Sequence, residues 1–128
     1  MEPSAPRRRV LVVDDEPRIR DVLVTLIELD GHVVDTAENG RDALDKIAAH
    51  EYDVILCDLA MPEMDGPGLY AELERSRPDM LGRLVIVSGY AESPHHQFQS
   101  WLARTRVPLI AKPFEASEIF HAIQGKAP

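Results

Sequence analysis

The stretch Asp53-Val54-Ile55-Leu56-Cys57-Asp58-Leu59-Ala60-Met61-Pro62 decides the fold. From Val54 to Cys57 it is continuously apolar, as a strand buried on both faces of a parallel sheet must be. It then meets a carboxylate, Asp58. An acidic side chain directly after a buried strand lies at the strand's carboxyl end, the edge where open α/β sheets bind ligands. Pro62 cannot continue a central strand, and Asp65-Gly66 marks a turn. Asp58 therefore stands at the mouth of a loop. Alone, it reads most simply as a strand-end residue capping the next helix. Three other strand ends change that reading.

Upstream, Val10-Leu11-Val12-Val13 is a second buried run, and it ends on Asp14-Asp15-Glu16-Pro17. One or two acids at a helix start are ordinary, but three in a row repel one another and point to a bound cation. In the following helix Ile19, Val22, Leu23, Leu26 and Ile27 form a core-facing stripe, and Gly31 ends it. His32 to Ala37 is a strand interrupted by polar groups, as an edge strand is. Asn39 caps a second helix whose inner face is Ala43, Leu44, Ile47 and Ala48.

Downstream, a third helix starts near Gly66-Pro67, buries Leu69 and Leu73, and closes at Ser76-Arg77-Pro78-Asp79. Leu84-Val85-Ile86-Val87 is another buried run and ends on Ser88-Gly89. Ser93-Pro94 reads as the N-cap and first position of a fourth helix with Phe98, Trp101 and Leu102 inward. Val107 to Ala111 is the last strand, ending on Lys112-Pro113. A fifth helix carries Ala116, Ile119, Phe120 and Ile123.

Strands alternating with helices make a doubly wound α/β fold: a parallel sheet with helices on both faces. Right-handed crossovers bring every strand's carboxyl end to one edge. That edge collects Asp14, Asp15, Asp58, Ser88 and Lys112. Carboxylate oxygens suit a hard cation such as Mg²⁺. A lysine and a hydroxyl facing the cation suit a phosphoryl group. No histidine, activated serine or cysteine sits among them, so a carboxylate is the expected nucleophile, able to form an aspartyl phosphate.

The chain resembles, over nearly its whole length, the receiver domain of bacterial two-component response regulators. The matching residues are Asp14-Asp15, Asp58 with Met61-Pro62-x-Met64-Asp65-Gly66, Ser88-Gly89 and Lys112-Pro113-Phe114. The resemblance implies a five-stranded flavodoxin-like sheet of order 2-1-3-4-5. It implies that Asp58 accepts a phosphoryl group from the phosphohistidine of a sensor histidine kinase or a histidine phosphotransfer protein. Asp15, Asp58 and the Ala60 backbone carbonyl would ligate Mg²⁺, with Asp14 acting through a metal-bound water. Ser88 would bond a phosphoryl oxygen and Lys112 would pair with it. Gly89 would leave room for the phosphate, and the Lys112–Pro113 bond would be cis.

Three positions depart from that pattern or qualify it. Leu109 stands where the family often has an aromatic switch residue; its aliphatic chain should prefer burial in both states, leaving the response to the Ser88–Glu92 loop and the start of helix four. Ala60 offers no polar side chain two residues after the acceptor. Tyr90 is a bulky neighbour of Ser88, and Ser88-Gly89-Tyr90-Ala91-Glu92 is similar to receivers attached to hybrid histidine kinases.

Composition bounds the rest. The 128 residues suit one domain, read as residues 8–126 after a flexible tail over 1–7. The net charge of −8 argues against a broad nucleic-acid surface, and Arg7-Arg8-Arg9 is too short a run to change that. Cys57, the only cysteine, has no disulfide partner and reads as a buried hydrophobe. No stretch approaches the ~20 apolar residues of a membrane span, and no secretory h-region precedes the first strand; a cytoplasmic location is expected. His95-His96 lacks ligand partners at useful spacing. His50, Tyr52 and His121 carry no readable signal, and Met61 and Met64 read as loop packing. Beyond helix five these residues leave no room for an output domain, so the output is expected from an unidentified protein or domain.

Two rival functions stay open on the residues. A phosphatase of the haloacid-dehalogenase type also uses a strand-end Asp, a hydroxyl, a Lys and Mg²⁺. It needs a second acid two residues after the nucleophile, where this chain has Ala60. A docking module independent of phosphate is the other; the intact constellation of strand-end residues weighs against it.

Overall fold

A computed structural model describes residues 7–89 and 96–125. Five strands, β1 (Arg9–Val13), β2 (Val33–Ala37), β3 (Val54–Cys57), β4 (Leu84–Ser88) and β5 (Leu109–Ala111), form one sheet of order β2-β1-β3-β4-β5. Every pairing is parallel. Between them run α1 (Pro17–Leu29), α2 (Gly40–Ala49), α3 (Gly66–Ser76), α4 (His96–Thr105) and α5 (Ala116–Gly125), with a 3-10 turn over Pro78–Arg83 closing α3.

The alternation of side chains along a strand divides the core in two. Leu11, Val13, Ile55, Cys57, Leu84 and Ile86 face the layer containing Ile47, Leu69, Leu73 and Trp101. Val10, Val12, Val54, Leu56, Val85 and Val87 face Leu23, Ile27, Ile119 and Ile123. Every residue of β3 and β4 is buried, which is why both read as unbroken apolar runs. β2, an outer strand, is mostly half-exposed, as its interrupted pattern predicts.

The caps at Asn39 and Gly31 form as the sequence indicates, and α3 is capped by Asp65, which the sequence marks only as part of a turn, not by Asp58. The Asn39 side chain accepts from the Asp42 amide at 2.8 Å, Asp65 accepts from the Gly68 amide at 2.8 Å, and Gly31 takes φ +91° after α1. Tyr52 is buried, and its hydroxyl donates to Asp35 at 2.7 Å.

Some expectations are corrected. Val22 is 48 % exposed, because the buried stripe of α1 narrows to Leu23 and Ile27 with Ile19 and Leu26 at its margins. Ala48 is exposed, about 100° round α2 from the buried Ile47. β5 is shorter than Val107 to Ala111, and Leu109 is 39 % exposed, not buried. On this outer strand only Ile110 turns into a core; Leu109 and Ala111 point the other way, beyond the reach of full cover. The N-cap expected at Ser93-Pro94, His95 and the Tyr90–Glu92 part of the expected switch loop lie outside the described residues.

Candidate functional site

The parallel ladder carries each candidate residue to one edge. Asp14 follows β1, Asp58 follows β3, Ser88 ends β4 and Lys112 follows β5. Backbone bonds continue the ladder just past the strands: Asp58 N–H donates to Val13 at 2.9 Å and Lys112 N–H to Ser88 at 2.9 Å. The four side chains are thus set by the sheet rather than by loop conformation.

Asp14 is 1 % exposed and fully engaged. One carboxylate oxygen accepts from the Glu16 amide at 2.9 Å, and the other accepts from Lys112 Nζ at 2.9 Å. The same ammonium lies 3.7 Å from Asp58. Burial works against the Lys112 charge, but the hydrogen bond to Asp14 and the charges of Asp58, Asp14 and Glu16 outweigh it and raise the ammonium above its ordinary value.

Asp58 is half-buried, with one carboxylate oxygen held by the Leu59 amide at 2.8 Å. Burial pushes its carboxyl up; Lys112 pulls it down, Asp14 pushes it up, and hydrogen bonds from the Ser88 side chain and the Leu59 amide pull it down. The balance lies above the ordinary aspartate value. Ser88 is buried beside it at the end of β4.

Asp15 is exposed, and it completes the cluster. Asp14, Asp15 and Asp58 each offer a carboxylate oxygen within 4.8 Å of the others, a donor set of hard anionic oxygens that fits a divalent cation. Ala60 is exposed in the loop after β3, and a Cβ added at Gly89 would meet no atom within 4 Å. The Lys112–Pro113 bond is cis. Cys57 is buried directly behind Asp58, its thiol raised well above the ordinary value by burial and by the nearby carboxylates, which keeps it protonated and inert.

The chain belongs to the response regulator receiver domain family. That family's description, "Response regulator receiver domain", matches residues 10–124. The chain is 34 % identical over 112 residues to the sensor kinase CckA of Brucella abortus, covering 86 % of this chain and 11 % of that protein. It is 38 % identical over 107 residues to a protein-glutamate methylesterase/protein-glutamine glutaminase of Symbiobacterium thermophilum, covering 82 % of this chain and 29 % of the relative. The chain thus spans a small part of these relatives' lengths. Among solved structures, a CheY-like receiver domain from Methanospirillum hungatei superposes with a TM-score of 0.80 at 25 % identity, covering 94 % of each chain. TrrA of Thermotoga maritima, solved in complex with Mg²⁺ and beryllium fluoride, gives 0.74 at 30 % identity, covering 94 % of this chain and 99 % of its own. The receiver domain is a phosphoacceptor module of two-component signalling, and this chain carries the family's acidic cluster.

The sequence did not signal two contacts at this edge. Arg20 donates to the Asp14 carbonyl at 2.6 Å, and the Gly40 amide donates to the Met64 carbonyl at 2.9 Å. An arginine on a helix carries no pattern of its own. A glycine after an N-cap is unremarkable until its neighbour is known.

Proposed function

We propose that Asp58 is the phosphoacceptor of this receiver domain, serving a relay fed by a sensor histidine kinase or a histidine phosphotransfer protein. The observation that carries the reading is the arrangement at the sheet edge: a half-buried carboxylate with an ammonium 3.7 Å away and two further carboxylates alongside.

An ionised Asp58 oxygen attacks the phosphorus of the phosphohistidine. The O–P bond forms, the P–N bond breaks, and the nitrogen's electron pair returns to the imidazole. Lys112 is placed to neutralise charge on the transferred group. Ser88 supplies a hydroxyl for one of its oxygens. Asp15, Asp58 and the Ala60 carbonyl would hold Mg²⁺, with Asp14 acting through a bound water. That cation would neutralise charge between the acceptor and the incoming phosphoryl group. Phosphorylation then shifts the Ser88 loop and the surface of α4 and β5, the signal read by an output protein or domain.

The reading makes the chain a signalling module that phosphorylates and dephosphorylates only itself, with no direct contact to nucleic acid. A kinase using ATP as its source implies a cytoplasmic location. No helix among the described residues is long and apolar enough to cross a membrane. The match to part of a sensor kinase supports a place in a relay of that type.

Incubation with Mg²⁺ and a small labelled phosphodonor tests the function. One labelled group per chain is expected. Many turnovers without stable labelling would instead mark a phosphatase, and no labelling would mark a docking module.

A further inference from the structure

We propose that Gly40, outside the phosphorylation site, is a positioning residue for the loop that joins β3 to α3 and carries Ala60. The inference rests on the phosphoacceptor reading above and adds a residue to it.

Gly40 opens α2, so its amide has no partner within the helix. The Asn39 side chain is already spent on the Asp42 amide. The Gly40 amide instead donates to the Met64 carbonyl at 2.9 Å, across to the neighbouring loop. The approach is close enough to exclude a side chain. A Cβ on Gly40 would lie 2.7 Å from the Met64 carbonyl oxygen and 2.7 Å from its Cγ. The φ of Gly40 is not positive, so glycine is required here for proximity alone.

A second tie closes the base of the loop, joining its last residues to its first. The Gly66 amide donates to the Leu59 carbonyl at 2.8 Å, and a Cβ on Gly66 would lie 2.9 Å from the Asp58 carbonyl. Between the two ties, Met64 N–H bonds back to Pro62 at 2.7 Å, and Glu63 is held at φ 70°, an uncommon conformation for a residue with a side chain. That local bond closes a tight turn about Glu63, with the tied residues Met64 and Gly66 directly after it. The segment carrying Ala60 therefore lies between a tie at Leu59 and an anchor on α2.

Mg²⁺ demands near-ideal octahedral geometry. A side chain at Gly40 forces the α2 and loop backbones apart by several tenths of an ångström. Because the Met64 contact is with backbone, it cannot yield by changing a rotamer. Displacement of the Ala60 carbonyl should then weaken the cation without touching any carboxylate.

The test is Mg²⁺ affinity in Gly40→Ala, measured by calorimetric titration, beside amide hydrogen exchange of the wild type. We expect the variant to bind Mg²⁺ about tenfold more weakly, the scale of a lost supporting contact. Its phosphorylation by a small donor should recover at saturating Mg²⁺. Met64→Ala, which keeps the backbone carbonyl, should change affinity by less than about twofold. Linkage is reciprocal, so Mg²⁺ should slow exchange at the Gly40 amide more than at Ala43, whose amide bonds to Asn39 within its own helix. The exchange arm needs no variant and stands even if Gly40→Ala does not fold. Wild-type Mg²⁺ affinity in a folded Gly40→Ala, or equal slowing at Gly40 and Ala43, overturns the inference alone. A wild type that takes up no Mg²⁺ fails the phosphoacceptor reading itself.

Discussion

The Lys112 ammonium is 2.9 Å from Asp14 and 3.7 Å from Asp58, so one cation joins the ends of β1, β3 and β5. It is bonded to Asp14, the more buried of the two acids, and only close to Asp58. Asp58 thereby gains charge compensation from the ammonium, while its hydrogen bonds come from the Leu59 amide and the Ser88 side chain.

Removing that cation should expose the cost of the cluster. Lys112→Met leaves Asp14 buried with no ammonium, a loss of about 3 kcal/mol. For a chain of this size that is a fall of roughly 10 °C in Tm. Mg²⁺ takes over part of the missing charge, so its stabilising effect should be larger in Lys112→Met than in the wild type. Thermal melts with and without Mg²⁺ check this; equal increments in the two proteins would count against a shared cluster.

Asp15 has a different role, being the exposed member of the carboxylate cluster. A cation at 100 times its Kd stabilises the fold by about 2.7 kcal/mol. Asp15→Ala should abolish most of that gain while changing the metal-free Tm little. A full Mg²⁺-dependent rise in Asp15→Ala would place the ion elsewhere.

On the outer strand β5, adjacent residues should behave oppositely. Ile110 is 8 % exposed and packs in the core, so Ile110→Ala should cost about 2–4 kcal/mol. Leu109 is 39 % exposed, and Leu109→Ala should cost less than about 1 kcal/mol. Urea unfolding of the two variants decides it. Since Leu109 has no hydroxyl to bond, its exposure should also be alike in structures with and without beryllofluoride.

The Tyr52–Asp35 bond sets an acid limb. Burial raises the Asp35 carboxyl, but hydrogen bonds from Tyr52 and Arg9 and the Arg9 charge more than offset it, and the group lies below its ordinary value. A depressed carboxylate contributes stability above its unfolded pKa and loses it as pH falls through the folded one. Tyr52→Phe should therefore cost about 1 kcal/mol at neutral pH. The deficit should shrink once the pH drops below about 4. A deficit independent of pH would show that the phenol acts by packing alone.

The sheet was legible because its central strands are buried on both faces and each ends abruptly on a polar residue. Val54–Cys57 into Asp58 and Leu84–Val87 into Ser88 need no tertiary knowledge to be seen. The caps at Asn39 and Gly31 were legible for the same local reason. Val22 and Leu109 were not, because apolar residues at the margin of a stripe or on an outer strand carry the same letters as core residues. Their exposure depends on how far neighbouring elements extend. Tyr52, Arg20 and Gly40 act through partners 17, 6 and 24 positions away in the chain, which no short pattern encodes.

Everything at this sheet edge turns on whether Asp58 takes the phosphoryl group. Intact-mass measurement after treatment with Mg²⁺ and a small phosphodonor, on the wild type and on Asp58→Asn, answers this. We expect one phosphoryl adduct on the wild type, mapped to the peptide containing Asp58, and none on a folded Asp58→Asn. A full-sized adduct on Asp58→Asn would place the phosphoryl group on another residue.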